Sequence, residues 1–100
     1  MKIESQADTI HVSEIKELGA GNSHDFRDRV RGALKEAHKN IEIDLSQTNF
    51  VDSSGLGALI ALHKTACGRN GKIRLLRPQP SVQQLLELTR MHRIFEIVKP

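Results

Sequence analysis

The order of periodic segments predicts an α/β fold: a small sheet whose strands are joined by helical crossovers. Three observations carry this. Short runs of alternating apolar and polar residues, "IEIDL" at 41–45 and "KIRLL" at 72–76, read as strands. Longer runs around them place their apolar residues on one face, as helices lying on a core do. Strand and helix alternate along the chain, and right-handed crossovers then leave few topologies.

Residues 2–15 contain "TIHVSEI", where Ile10, Val12 and Ile15 mark a strand paired with an earlier one at 2–6. "GAGN" breaks the chain. Asn22 is placed to cap a helix whose first turn carries Asp25. Phe26, Val30, Ala33, Leu34 and Ala37 share one face of that helix, with Arg27, Asp28, Arg29, Arg31, Lys35 and Glu36 over the rest. After the strand at 41–45, "SQTN" is a polar turn, and Phe50 and Val51 are expected to re-enter the core. A second helix is expected over about 54–68, with Leu56, Leu59, Ile60, His63 and Cys67 on one face and "GRNG" supplying its C-cap. "RPQP" follows the strand at 72–76; proline cannot donate to a sheet and pre-sets a helix start. Ser81 and Gln84 spell a capping box, with Val82, Leu85, Leu86 and Thr89 as the inner face of a last helix. "IFEIV" closes the chain as a short strand. No repeat, low-complexity tract or linker interrupts it, so residues 1–100 read as one domain.

One hundred residues, 38% of them hydrophobic, suit one soluble core. The longest apolar run, 58–62, is too short to span a bilayer, and "MKIESQADT" has no apolar signal core. The expectation is therefore a cytoplasmic protein without membrane insertion. One cysteine, Cys67, cannot form an internal disulfide, in keeping with a reducing compartment. The net charge of +3 (pI about 9.4) is a mild excess, interleaved with acids in "HDFRDRVRGALKEAHK". With only three aromatic residues, Phe26, Phe50 and Phe95, this reads as a solvated helix face, and no direct nucleic-acid binding is expected.

The stretch "FVDSSGLGALIAL" from Phe50 is the candidate site. A hydroxyl at Ser53 or Ser54 can accept from an orphan N–H of a helix's first turn, worth about 1 kcal/mol. Glycines there allow a tight bend and a close backbone approach. The same geometry suits regulation. A helix N-terminus tolerates an added phosphate, which brings about −1.5 to −2 charges. Beside Asp52, that charge can make a contact surface reject its partner. Catalytic readings fit poorly. The G-x-S-x-G elbow lacks its upstream glycine, and the glycines of "GLGALIALHK" do not match a P-loop. His11, His24, His38, His63 and His92 show no zinc spacing. His63 reads as a hydrogen-bonded core residue and Cys67 as a small hydrophobe. Asp44 and Asp52 could share one end of the sheet, but Asp44 reads as solvated or capping rather than as half of a catalytic pair.

Residues 41–97, from "IEIDLSQTNFVDSSGLG" through "GRNGKIRLL" to "VQQLLELTRMHRIFEI", resemble the STAS domain, the module of bacterial anti-sigma-factor antagonists. The acid-Ser-Ser-Gly-Leu-Gly core at 52–57 is the most specific piece, and the likeness extends over roughly 10–98. It implies a small mixed sheet with about four helices, mostly on one side. It further implies a non-enzymatic switch. The unmodified form binds an anti-sigma factor that is also a serine kinase and so frees a sigma factor. The kinase phosphorylates the motif, the phosphorylated form no longer binds, and a phosphatase resets the system. By position the acceptor is Ser53, with Ser54 as the helix cap. The implied contact surface is Asp52, Ser53, Ser54, Gly55, Leu56 and Gly57, with Asn22 of the neighbouring "ELGAGN" loop. ATP and magnesium would belong to the kinase, so the chain needs no cofactor or metal; a monomer or weak dimer is expected. One departure stands out. Family members usually carry Gly-x-Leu-Asp ahead of the first helix, whereas here Lys16 takes the glycine place and Gly19 the place of the acid. The alternative reading is an unphosphorylated STAS accessory subunit of a lipid or anion transporter assembly.

Overall fold

The computed structural model of the chain describes residues 1–99. Strand β1 (Lys2–Gln6) turns at Ala7 and Asp8 into the antiparallel β2 (Thr9–Ser13). From β2 onward every pairing is parallel: β2 with β4 (Asn40–Asp44), β4 with β6 (Ile73–Leu76), and β6 with β7 (Glu96–Val98). The sheet is therefore mixed, in the order β1-β2-β4-β6-β7. Two short strands, β3 (Glu17–Leu18) and β5 (Phe50–Val51), pair in parallel apart from it. Helices α1 (Ser23–Ala33), α2 (Ser53–Gly68) and α3 (Pro80–Leu88) make the crossovers.

The strand register shows why the alternating sequences fold this way. Ile3, Val12, Ile43, Leu75 and Ile97 form one row across the five strands, and Ile10, Ile41 and Ile73 form the next. Side chains alternate between faces, so both rows lie on one side. Phe26 and Val30 of α1, Leu56, Leu59, Leu62 and Ala66 of α2, and Val82 and Leu86 of α3 belong to the same core. Each fully buried Leu or Ile contributes about 1.5–3 kcal/mol relative to exposure. The other side carries the row Glu4, His11, Glu42, Arg74 and Glu96. There Arg74 pairs with Glu42 at 3.5 Å and Glu96 at 3.2 Å, and its guanidinium is held above its usual range chiefly by the hydrogen bond to Glu96.

Several expectations need correction. Among the described residues there are three α-helices rather than about four; the remaining helical segment is a single 3₁₀ turn, Met91–Arg93. α1 stops at Ala33 instead of reaching Ala37. Leu34 turns extended, and the buried His38 takes over: its Nδ1 accepts the Lys35 N–H at 2.9 Å, and its Nε2 lies 2.6 Å from Ser5 Oγ. Arg69 then caps the carbonyls of Lys35 and His38 at 2.7 and 2.6 Å. The Ser81–Gln84 capping box does not form, because Gln79 holds the N-cap position and Ser81 lies inside α3. Thr89, placed on the inner face of that helix, is exposed. Of the face assigned to α2, Leu56 and Leu59 are buried, but His63 is half-buried and Cys67 exposed. Ala58, Leu62 and Ala66 complete the true inner face.

The C-cap of α2 forms as "GRNG" suggests. Asn70 adopts a left-handed φ of 62°, and the N–H groups of Asn70 and Gly71 donate to the carbonyls of Cys67 and Ala66 at 3.1 and 2.9 Å. Gly71 then passes so close to the segment entering β4 that a Cβ would lie 1.8 Å from the Lys39 carbonyl oxygen. Gly71→Ala is expected to lower unfolding stability by about 2–3 kcal/mol, an overpacking cost against backbone that cannot yield. Urea denaturation, read as a fall in midpoint at constant m-value, checks this.

Candidate functional site

The site begins with a tie between two distant segments. Thr48 is buried, and its hydroxyl donates to the Ile15 carbonyl at 2.6 Å, while Asn49 N–H donates to the Lys16 carbonyl at 3.0 Å. These bonds set β5 beside β3, pairing Glu17 with Phe50 and Leu18 with Val51. The loop after β3, residues 19–22, is thereby brought against the start of α2.

Asp52 joins the two. It is the N-cap of α2, and its Oδ1 accepts the Gly55 N–H at 3.0 Å. Its Oδ2 accepts the Ala20 N–H across the loop, also at 3.0 Å, and its own N–H donates to the Leu18 carbonyl at 3.2 Å. The Gly55 N–H foremost, and then the Ala20 N–H, hold the Asp52 carboxyl below the usual carboxylate range, outweighing slight desolvation. The expected roles are thus exchanged. Asp52, not Ser54, is the helix cap, because its carboxylate precedes the first helical residue and reaches the amide three positions on. Ser53 and Ser54 are the first two residues of α2, and both are exposed.

Asn22 occupies the N-cap position of α1 but does not cap it with its side chain. Its Oδ1 instead accepts the Gly19 N–H at 2.9 Å, and its Nδ2 donates to the Glu17 carbonyl at 2.8 Å, bracing the loop against which Asp52 leans. Gly55 and Leu56 are buried; Gly57 is exposed. The glycines differ in purpose. A Cβ at Gly55 would sit 2.1 Å from the Leu18 carbonyl oxygen, whereas one at Gly57 would meet nothing within 4 Å. At Gly19, the position where an acid was expected, a Cβ would come 2.8 Å from Asp52 Oδ2 and 3.0 Å from the Phe50 ring. A longer acidic side chain there would set a second carboxylate against Asp52.

Phe50 does not re-enter the core. It is 51% exposed, while Val51 points inward. With Asn49, Val51, Ser81, Val82 and Leu85 it borders a hollow of about 240 Å³ between β5 and α3. Asp44 takes no part in the site. It accepts the Ser46 N–H at 2.8 Å and pairs with Arg77. Burial works to raise its pKa, but the bonds from Ser46 and Arg77 prevail and leave it lowered. Among the described residues, no group of three or more His, Cys, Asp or Glu could hold a metal ion, and no helix is long and apolar enough to cross a membrane.

Asp52→Asn is expected to destabilise the protein at neutral pH, because one of the two N–H groups then faces an amide nitrogen. Since the folded carboxyl titrates below its unfolded value of about 3.9, its contribution is complete above that value and is lost as pH falls through the folded pKa. Thermal midpoints of wild type and variant should therefore differ most near pH 7 and draw together toward pH 3.

A model of the STAS domain matches residues 1–99. A STAS-domain containing protein of Pseudomonas aeruginosa is 30% identical over 89 residues, covering 89% of this chain and 85% of the relative. The crystal structure of a Thermotoga maritima protein, described as a candidate anti-sigma factor antagonist, superposes with a TM-score of 0.91 at 26% identity, over 99% of this chain and 86% of that one. The Bacillus cell fate determinant SpoIIAA in its phosphorylated form shares the fold, with a TM-score of 0.71 at 20% identity over 98% of this chain and 90% of that one.

Proposed function

The chain belongs to the STAS domain family, and from that premise we propose that it is an anti-sigma-factor antagonist whose 52–57 loop docks on a serine-kinase anti-sigma factor and is switched off by phosphorylation at Ser53. The observation that carries this reading is the exposure of two hydroxyls on a backbone that cannot easily move. Asp52 pins the head of α2 to the 19–22 loop, so Ser53 and Ser54 are held out on a fixed platform. A surface of that kind suits a kinase that must both bind the loop and reach one oxygen. The half-exposed Phe50 lies two residues before Asp52 and adds an apolar contact to the docking surface. The likeness to the Thermotoga maritima protein supports the partner class, and SpoIIAA, a protein of the same fold, has a phosphorylated form, which is in keeping with a switch of this kind.

The switch needs no rearrangement. A phosphate on Ser53 places a dianion directly after the ionised Asp52, and docking would then require two adjacent anionic groups to lose water together. Release of the sigma factor follows by mass action when the unmodified form occupies its inhibitor, and a phosphatase restores that form.

Ser53→Asp is expected to weaken binding to the kinase about tenfold or more, while Ser53→Ala binds like wild type and escapes control. Calorimetric titration of both variants decides it, and equal affinities would remove the switch. Intact-mass measurement on protein from its native cell, with fragmentation to place the group, separates this reading from an unregulated transporter subunit: a form about 80 Da heavier with the phosphoryl group on Ser53 supports the switch.

A further inference from the structure

The first turns of α1 and α2 meet along a cleft of about 300 Å³ lined by Ser23, His24, Arg27, Ser54, Gly57 and Ala58. Ser54 lies on the lining and Ser53 does not. On the α1 side the groups are basic or hydroxylic. Arg27 commits only its Nε, to Asp28 at 3.2 Å, which leaves its two terminal nitrogens without a partner among the described residues. The N–H groups of His24 and Asp25 lack a side-chain cap, because Asn22 has turned to Gly19 and Glu17. Independently of the helix ends, Ser23 is only 2% exposed and lines the cleft, and its hydroxyl makes no hydrogen bond among the described residues. The little exposure Ser23 keeps lies on the cleft it lines, so its hydroxyl is free to donate to a group seated there. Gly57 keeps the opposite wall clear, with nothing within 4 Å of where a Cβ would stand.

We propose that this cleft is the seat of a phosphate carried on Ser54, held by Arg27, His24 and the Ser23 hydroxyl. The inference deepens the reading above and rests on the loop being a kinase substrate, but it assigns the two serines different fates. A phosphate on Ser53 follows Asp52 on the exposed surface and acts by repulsion. One on Ser54 turns between the helices, where N-terminal helix dipoles and a guanidinium favour a dianion. The transfer needs a nucleoside triphosphate held by the kinase. Ser54 Oγ forms a bond to the γ-phosphorus, the bond from that phosphorus to the bridging oxygen breaks with its electrons leaving on the diphosphate, and the hydroxyl proton passes to a base of the kinase.

The test builds phosphoserine into the full chain at position 54, or at 53, during translation, so it runs without the kinase. With phosphoserine at 54 the thermal midpoint should rise by about 3 °C over the unmodified protein, and the Arg27 Nε–H resonance should shift. The midpoint gain should vanish in Arg27→Ala, whose own fold is checked by circular dichroism. Phosphoserine at 53 should produce neither. A midpoint and Arg27 resonance unchanged by phosphate at 54, or a gain that survives Arg27→Ala, overturns the seat. Failure of the docking reading would appear instead in the kinase titrations of the Ser53 variants.

Discussion

The first turn of α2 passes β3 so closely that a methyl group on residue 55 would fall 2.1 Å from the Leu18 carbonyl oxygen. That contact fixes where the long helix begins, and much else follows. The helix start lies directly beside the 19–22 loop, so one carboxylate can serve both: Asp52 accepts an N–H from each side. The serines after it are left on the outside, because the inward positions of that turn are already filled by Gly55 and Leu56.

The sheet supplies the rigid support for this arrangement. Three parallel pairings and one antiparallel hairpin place two rows of aliphatic side chains under the helices, leaving charged residues on the opposite face. Loops at the C-terminal ends of parallel strands gather on one side, the usual place for recognition in such folds. Buried Thr48 holds one of these loops against the stretch leading into β3. The site is thus braced by polar ties between loops and by apolar packing beneath them.

Much of this was legible in the sequence, and the failures have a common cause. The strands at 41–45 and 72–76 and the body of α2 declared themselves by period, and the motif at 52–57 pointed to the candidate site. What the sequence hid were contacts between segments far apart in the chain. Nothing near Asp52 announces the Ala20 amide that claims its second oxygen, so the sequence alone gives the cap to Ser54. Nothing near Ala37 announces that His38 and Arg69 will take over the carbonyls and amides a longer helix would have used. Two short strands, β3 and β5, carry no periodic signal of their own and exist because of each other. Phe50 is different, since its signal was present and misread. In a strand, neighbours point to opposite faces, so Phe50 and Val51 could not both turn inward.

α2 is a stiff rod. Ser53 stands at one end and Cys67, the only thiol in the chain and an exposed one, lies fourteen residues on, about 21 Å along the axis. The sulfur sits 3.6 Å from His63 Nε2, well away from the 52–57 loop. A fluorophore or spin label attached there would need no engineered cysteine and would move with the same rigid body as the loop, reporting from a distance on whatever arrives at the other end.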